Sequence, residues 1–245
     1  MVTFQRRYRR GYPVAVLVGL KEEQATLWKV YSHVAKPEKT VPLNANRSDQ
    51  KAVYNFHEAI INALRPTLKE GVQSIIVASP PRAGFSADFL RHIKEHHAWL
   101  IGGPSKAAFA QVTGSASTMH EVTVLTRTAE FRKIIGKATS EENENLLELL
   151  ERRLNAPVQT PMVLYALEDI EEAVYGVHPP GKPEPEYLML TDTQLTGNRR
   201  KNRLQRLTQV ATNKGVKTRV VKSDTATGKR LLQLGGVVCT LKEAP

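Results

Sequence analysis

The chain has 245 residues, 41% of them hydrophobic, with one Cys, 35 Lys+Arg against 24 Asp+Glu and a formal charge of +11. That composition excludes a mostly disordered or collagen-like chain, and a single Cys239 excludes an internal disulfide framework and a cysteine-rich zinc site. No run approaches about 18 consecutive apolar residues and no signal-peptide core is visible, so a soluble cytoplasmic protein without a membrane span is expected.

In chain order, Arg6, Arg7, Arg9 and Arg10 come first, in a basic arm over residues 1–12. Pro13 to Leu20 is a continuous apolar run of strand length, and Ala25 to Tyr31 follows a turn-like Lys21 to Gln24, which predicts a hairpin. A weak third strand is expected over Glu38 to Leu43. Ser48 is placed to cap a helix whose stripe Val53, Phe56, Ile60 and Leu64 has helical spacing, ending at Pro66. Ser74 to Ala78 reads as a buried strand, and Ser86 as the cap of a helix bearing Phe89, Leu90 and Ile93. Glu121 to Leu125 alternates like a strand. Ser140 is expected to open a helix with Glu141 and Glu142 in its first turn and Leu146, Leu147, Leu150 and Leu154 as its stripe. That helix ends near Asn155-Ala-Pro157, the expected boundary between units 13–157 and 158–245.

In the second unit Thr160 and Pro161 suit the start of a helix lined by Leu164, Leu167, Ile170 and Val174. A proline-rich connector follows over His178 to Pro185. Tyr187 to Leu190 reads as a strand, Arg199 to Asn213 as a basic helix and Thr218 to Val221 as a strand. Asp224 to Leu234 is a further helix, closed by Gly235-Gly236, and Val237 to Leu241 the last strand. Helices alternating with strands predict an α/β fold in two domains.

The charge is concentrated. Residues 192–230 carry 11 basic residues against Asp192 and Asp224, whereas residues 11–191 carry 19 basic and 21 acidic ones. Such clusters favour polyanions, because each neutralised phosphate releases condensed counterions. On a helix Arg199, Arg203 and Arg206 share one face with Arg200 beside it, and Lys201 joins them as a phosphate contact. No Glu at i±4 compensates this stripe, which points to nucleic acid rather than to a salt-bridged surface.

Motifs for chemistry are sparse. His92-Ile-Lys-Glu-His96 matches the H-x-x-E-H pattern of some zinc peptidases, but nothing signals a third ligand. It is read as an exposed helix end, and no metal is expected. Thr227-Gly-Lys-Arg230 lacks the rest of a phosphate-binding loop, there is no G-x-S-x-G, and Cys239 reads as a small apolar residue of a strand. The acids of Glu141 to Glu151 and Glu168 to Glu172 are read as solvated helix faces. No catalytic centre and no cofactor is therefore expected.

The order of elements resembles a known family. Tyr12 to Leu20 followed by Ala25 to Val30 resembles the start of the middle domain of class-1 release factors and Pelota, and Gln73 to Pro80 with Gly84-Phe85 resembles Pelota's strand and Pro-Gly-Phe turn. Tyr165 to Ala173, Leu188-Met-Leu-Thr-Asp192, and Val220 to Gly236 with its Ser223, Gly228 and Gly235-Gly236 are similar to the family's C-terminal motifs. The resemblance implies a middle domain of ribonuclease-H-like topology, then an α/β/α sandwich like the kink-turn-binding ribosomal proteins. It also implies a ribosome-binding rescue factor that contacts rRNA or tRNA, partnered by an elongation-factor-like GTPase.

Departures refine the expectation. Release factors carry a Gly-Gly-Gln loop where Lys36 to Gln50 here has no Gly, leaving Asn44, Asn46, Arg47 and Gln50 at that place. Peptidyl-tRNA hydrolysis by that mechanism is not expected, which favours the Pelota side. The Pro-Gly-Phe turn becomes Ser79 to Phe85, with Pro80, Pro81, Gly84 and Phe85 as the candidate GTPase-docking turn. The helix at 165–173 lacks the signature that reads kink-turns, and Pelota's N-terminal decoding domain is expected to be absent. One rival reading is a diverged hydrolase of peptidyl-tRNA or RNA that uses Gln50. Another is a binding module within a larger complex.

Overall fold

A computed structural model describes residues 11–103, 106–156, 162–176, 183–196 and 200–242. Arg6, Arg7, Arg9, Arg10, Arg199, the Thr160-Pro161 helix start and most of the proline connector lie outside the described residues.

The first unit is built on a sheet of β1 (Pro13–Leu20), β2 (Gln24–Tyr31), β3 (Ala35–Pro42), β4 (Ser74–Ser79) and β5 (Ala108–Thr113) in the order β3-β2-β1-β4-β5. The first three strands are an antiparallel meander, while β4 runs parallel to both β1 and β5. This is the ribonuclease-H-like arrangement. Helices cover both faces, which is why β1 is apolar at nearly every position instead of alternating. Val16, Val18 and Leu20 pack with Phe56, Ile60 and Leu64 of α1 (Gln50–Lys69) and Phe89 and Ile93 of α2 (Phe85–His96). A short α3 (Ala98–Ile101) follows. On the other face Ala15, Leu17 and Trp28 meet Val122 and Leu125 of α4 (Met119–Arg127) and Phe131 of α5 (Ala129–Leu154).

The second sheet has the order β6-β9-β7-β8, from β6 (Val163–Leu164), β7 (Pro185–Thr191), β8 (Lys217–Val221) and β9 (Val237–Leu241). One face is covered by α6 (Leu167–Tyr175) and α8 (Lys201–Asn213), through Ile170, Val174, Leu204 and Leu207. The other is covered by α9 (Ala226–Gln233) and by Leu146, Leu149 and Leu150 of α5. A short α7 (Asp192–Thr196) leaves β7 directly. The 26-residue α5 spans about 39 Å at ~1.5 Å per residue, long enough to roof part of each sheet.

Where the sheets meet, Glu142 of α5 is 0% exposed. Its carboxylate accepts the Gln73 N–H at 3.1 Å, the Ser74 hydroxyl, and Nη2 of the buried Arg219 of β8 at 2.7 Å. The same guanidinium donates to the carbonyls of Pro13 and Val14 in β1 at 3.1 and 3.3 Å. Beside this cluster Gln73 Nε2 donates to the Tyr187 hydroxyl at 3.0 Å, and the Thr218 N–H donates to the Glu70 carbonyl at 2.8 Å. The approach is close enough that a Cβ on Gly71, whose φ is +99°, would stand 3.0 Å from that of Lys217. Glycine meets both the dihedral and the spacing.

Several local expectations are corrected. The cap of α1 is Asp49, which accepts from Lys51 N and Ala52 N, and not Ser48. The helix also runs through Pro66 to Lys69, because a proline in the last turn removes one backbone bond while buried Leu64 and Thr67 anchor the turn. Ser86 does not cap α2; Gly84 does, and the Ser86 hydroxyl bonds Ser79 and Gln111 inside. Residues 121–125 are helical, not a strand, under a capping box between Thr118 and Glu121. Ser140 lies inside α5, which begins at Thr128 as its cap. Leu164 is in a strand, and helix α6 starts only at Leu167. The reading of Glu141 to Glu151 as a solvated face fails at Glu142, and Glu151 pairs with Arg230 at 2.6 Å. Cys239 is a buried strand residue, its thiol pushed up to about 12 by burial.

Removing one partner of a buried, hydrogen-bonded ion pair leaves the other uncompensated. Glu142→Ala and Arg219→Ala should each lower unfolding free energy by about 3–5 kcal/mol in chemical denaturation. The double change Glu142→Leu with Arg219→Met should cost clearly less than the sum of the single changes.

Candidate functional site

Three loops meet at the carboxyl ends of β1 and β4: the Lys21 to Glu23 turn, the Leu43 to Asp49 loop and the Pro80 to Gly84 turn. Arg47 joins them. Its guanidinium lies 3.8 Å over the Phe85 ring centroid and 5.4 Å over that of Phe56. It also donates to the Lys21 carbonyl at 2.5 Å and to the Glu22 carbonyl at 2.9 Å. The two stretches singled out separately in the sequence, Asn44 to Gln50 and Pro80 to Phe85, are thus one surface. Asn46 folds its loop by accepting the Ser48 N–H at 3.0 Å, Asn44 is exposed, and Gln50 is the exposed first residue of α1. Pro81 and Gly84 are exposed, Pro80 and Phe85 half-buried, and the turn passes through positive φ at Arg82 (64°) and Gly84 (68°). Beside Phe85 a shallow hollow of about 430 Å³ is rimmed by Glu22 and Glu23, with Lys21 as its only lining cation. This end can present a hydrophobic turn framed by acids. Arg47 is held on carbonyls and rings and lies behind it.

The basic helix α8 stands at the other end of β1, about 25 Å away along the strand at ~3.3 Å per residue. Arg200 precedes α8 as its exposed cap residue, and Arg206 is exposed. Arg203 does not fit the expectation of an uncompensated stripe. It makes a fork to Glu171 of α6 at 2.7 and 2.6 Å and reaches Glu168 at 3.3 Å. Donating to the Glu171 carboxylate raises its pKa above the usual arginine value. Compensation comes from a neighbouring helix, which spacing along α8 cannot reveal. Lys201 points elsewhere, into a cleft of about 880 Å³ between the units that it lines with Gln205, Thr208, Asp192, Tyr12 and His33. Burial, then Asp192, pushes the Tyr12 phenol up.

Two motif residues of the second unit close that region. Asp192 accepts the Ser223 N–H at 2.9 Å, the Ser223 hydroxyl at 2.5 Å and the Thr193 N–H at 2.9 Å. Burial alone would raise its pKa, but these bonds outweigh it and hold the carboxyl below its ordinary value. Gly228 is required by packing, since a Cβ there would stand 2.0 Å from the Lys222 carbonyl oxygen.

The H-x-x-E-H stretch is only partly the exposed helix end expected. Glu95 and His96 are exposed, at 58% and 43% of their side chains, but His92 and His97 are buried at 7% and 9%. Both present Nε2 to one oxygen of Glu58 on α1, at 3.0 and 2.6 Å. Burial pushes the Glu58 carboxyl up, but the His97 and His92 bonds prevail and hold it low. No sequence motif signals this grouping, since Glu58 lies on a different helix.

No family model matches the chain. It is 27% identical over 202 residues to the protein pelota homolog of Pyrococcus horikoshii, a match covering 81% of this chain and 51% of that protein. The homolog of Pyrococcus abyssi is 24% identical over 200 residues, with the same coverage of 81% and 51%. The chain therefore spans about half the length of the curated relatives it matches. Among solved structures, ribosome-bound archaeal Pelota with ABCE1 matches at a TM-score of 0.50 and 21% identity, over 99% of this chain and 64% of that one. A structure of S. cerevisiae Dom34, described as a termination-like factor interacting with Hbs1, matches at 0.48 and 19%, over 94% and 63%. The chain is similar to the Pelota family in sequence and shares its fold.

Because the Asp192 pKa is depressed on folding, its contribution is full above the unfolded value and fades as pH falls through the folded one. Asp192→Asn should therefore cost about 1 kcal/mol at pH 7, part of the gain being screened at this half-exposed site. In denaturant titrations the gap should persist down to the ordinary carboxylate range near 3.8 and close below it.

Proposed function

We propose that this chain, similar to Pelota proteins over most of its length, is a translation factor that binds the ribosome in the rescue of stalled ribosomes. The observation that carries this reading is the match to two archaeal Pelota homologs over 81% of the chain. The shared fold with ribosome-bound Pelota supports it. The contacts proposed are to rRNA or tRNA through Arg200, Lys201 and Arg206, with Arg199 and the arm residues Arg6, Arg7, Arg9 and Arg10 added from sequence; Arg203 is left out because its guanidinium is taken up by Glu171. The turn at Pro80, Pro81, Gly84 and Phe85 is proposed as the docking point of an elongation-factor-like GTPase. Its exposure and the rigid Arg47 behind Phe85 support that role. Such a factor works in the cytoplasm, and among the described residues no helix is long and apolar enough to cross a membrane.

The factor acts by binding, not by hydrolysing peptidyl-tRNA. Support comes from the loop at the release-factor catalytic position, which has no glycine to bring its backbone close to an ester. Its Arg47 is also engaged by two carbonyls and two rings. Gln50 is the group there proposed to orient a water, so it defines the test of the hydrolase alternative.

The triple change Arg200→Glu, Lys201→Glu and Arg206→Glu should weaken ribosome co-sedimentation about tenfold or more at ~150 mM salt and flatten its salt dependence. Unchanged binding would remove α8 from the interface. Arg203→Ala should act mainly on stability, through the stranded Glu171. Peptidyl-tRNA release by the wild type that is lost in Gln50→Ala would establish the hydrolase instead.

A further inference from the structure

We infer that Glu58, His92 and His97 form a binding site for one divalent transition-metal ion of the zinc class. The three side chains come from α1, from α2 one turn before its end and from the residue that caps α2, and their ligand atoms all lie within 4.8 Å of one another. A zinc ion about 2.05 Å from each ligand separates tetrahedral ligands by about 3.3 Å. The Glu58 oxygen already stands 3.0 and 2.6 Å from the two nitrogens, so insertion needs shifts of well under an ångström at that oxygen. Two imidazole nitrogens and one carboxylate oxygen are a borderline donor set that suits zinc, cobalt or nickel better than calcium or magnesium.

Aromatic rings pack around His92. A third imidazole, His57, stands edge-on to His92 with ring centroids 5.0 Å apart; it is 3% exposed, and among the described residues its Nε2 has no hydrogen-bond partner. Tyr54 and His96 close the outer side of His92, with ring centroids 4.9 Å away in each case. Glu58, 28% exposed, is the member that opens to solvent, where three protein ligands leave a fourth position for water.

Trp99 supplies a readout. Its indole N–H donates to His97 Nδ1 at 3.3 Å, which places the His97 proton on Nε2, toward Glu58. A metal on Nε2 moves that proton to Nδ1 and breaks the indole contact, and Trp99, 50% exposed, has room to turn. The other tryptophan, Trp28, is buried with its N–H on the Ala116 carbonyl at 2.7 Å, so a change in emission reports on Trp99.

The test titrates the full chain, stripped by chelator, with Zn²⁺ by calorimetry and with Co²⁺ by visible absorption, following tryptophan emission. The expected result is one equivalent with micromolar or tighter affinity, intense four- or five-coordinate cobalt bands and a shift in Trp99 emission. Glu58→Gln and His97→Gln, which keep hydrogen-bonding groups in place, should each weaken binding about 100-fold or more, and His96→Gln less than about threefold. Circular dichroism confirms that each variant is folded. No binding by the folded wild type would overturn the proposal, as would binding retained in both Glu58→Gln and His97→Gln. Loss on His96→Gln equal to that on His97→Gln would move the metal to the H-x-x-E-H pair and also overturn it.

Discussion

Glu142 has no contact with water, and its donors come from the edge of one sheet and the middle of the other, so the charge it buries is tolerable only when the two sheets are docked. An isolated carboxylate moved from water into such a place costs several kcal/mol even after relaxation, and an arginine costs a similar amount. Together, with Ser74, the Gln73 N–H and the Pro13 and Val14 carbonyls taking up the remaining bonds, they become affordable. The pair adds little to net stability, but it penalises every arrangement in which β8 slides or swings away from β1. The orientation of one sheet against the other is therefore specified by polar geometry at its centre, with the apolar clusters on either side supplying most of the energy.

That junction fixes what the surface can do. β1 runs from the cleft beside α8 at its start to the Arg47 loops at its end, so a basic surface and a hydrophobic turn rimmed by acids are held at a set spacing. The electrostatics of the basic end is also narrower than the net charge suggests. Arg203 pairs with Glu171 of the same unit, and Arg219 and Arg230 pair with Glu142 and Glu151 of α5, so part of the positive excess of residues 192–230 is taken up by carboxylates of this chain.

Much of this was legible in the chain. Apolar runs marked β1, β2, β4 and β9, and the family resemblance marked the order of units; these signals are local or carried by continuous motifs. Failures came where a competing local pattern was weaker than the tertiary context. Glu121 to Val124 satisfies a period of two by accident, while the Thr118-to-Glu121 capping box, readable in the sequence, gives the true state of residues 121–125. In α5 the stripe Phe131, Ile134, Ile135 and Ala138 was also there to be read, but Gly136 and Thr139 obscured it and Ser140 offered a false start. Glu142 looked like one acid among many because its partners, Gln73, Ser74 and Arg219, are about 70 residues or more away in sequence. Glu58 is hidden from any motif around His92 for the same reason. The candidate site was legible as two separate loops; that Arg47 welds them into one surface was not.

The long helix α5 makes the unit of chain differ from the unit of stability. Leu146, Leu149 and Leu150 belong by sequence to the first half, yet they close the inner face of the second sheet over Tyr187, Met189 and Val238. A piece cut at residue 158 would carry every strand of that sheet and leave the α5 part of its lid behind, presenting an apolar face to other molecules. The smallest self-sufficient second half therefore begins near residue 140, and its natural first secondary structure is the tail of a helix that the other half started.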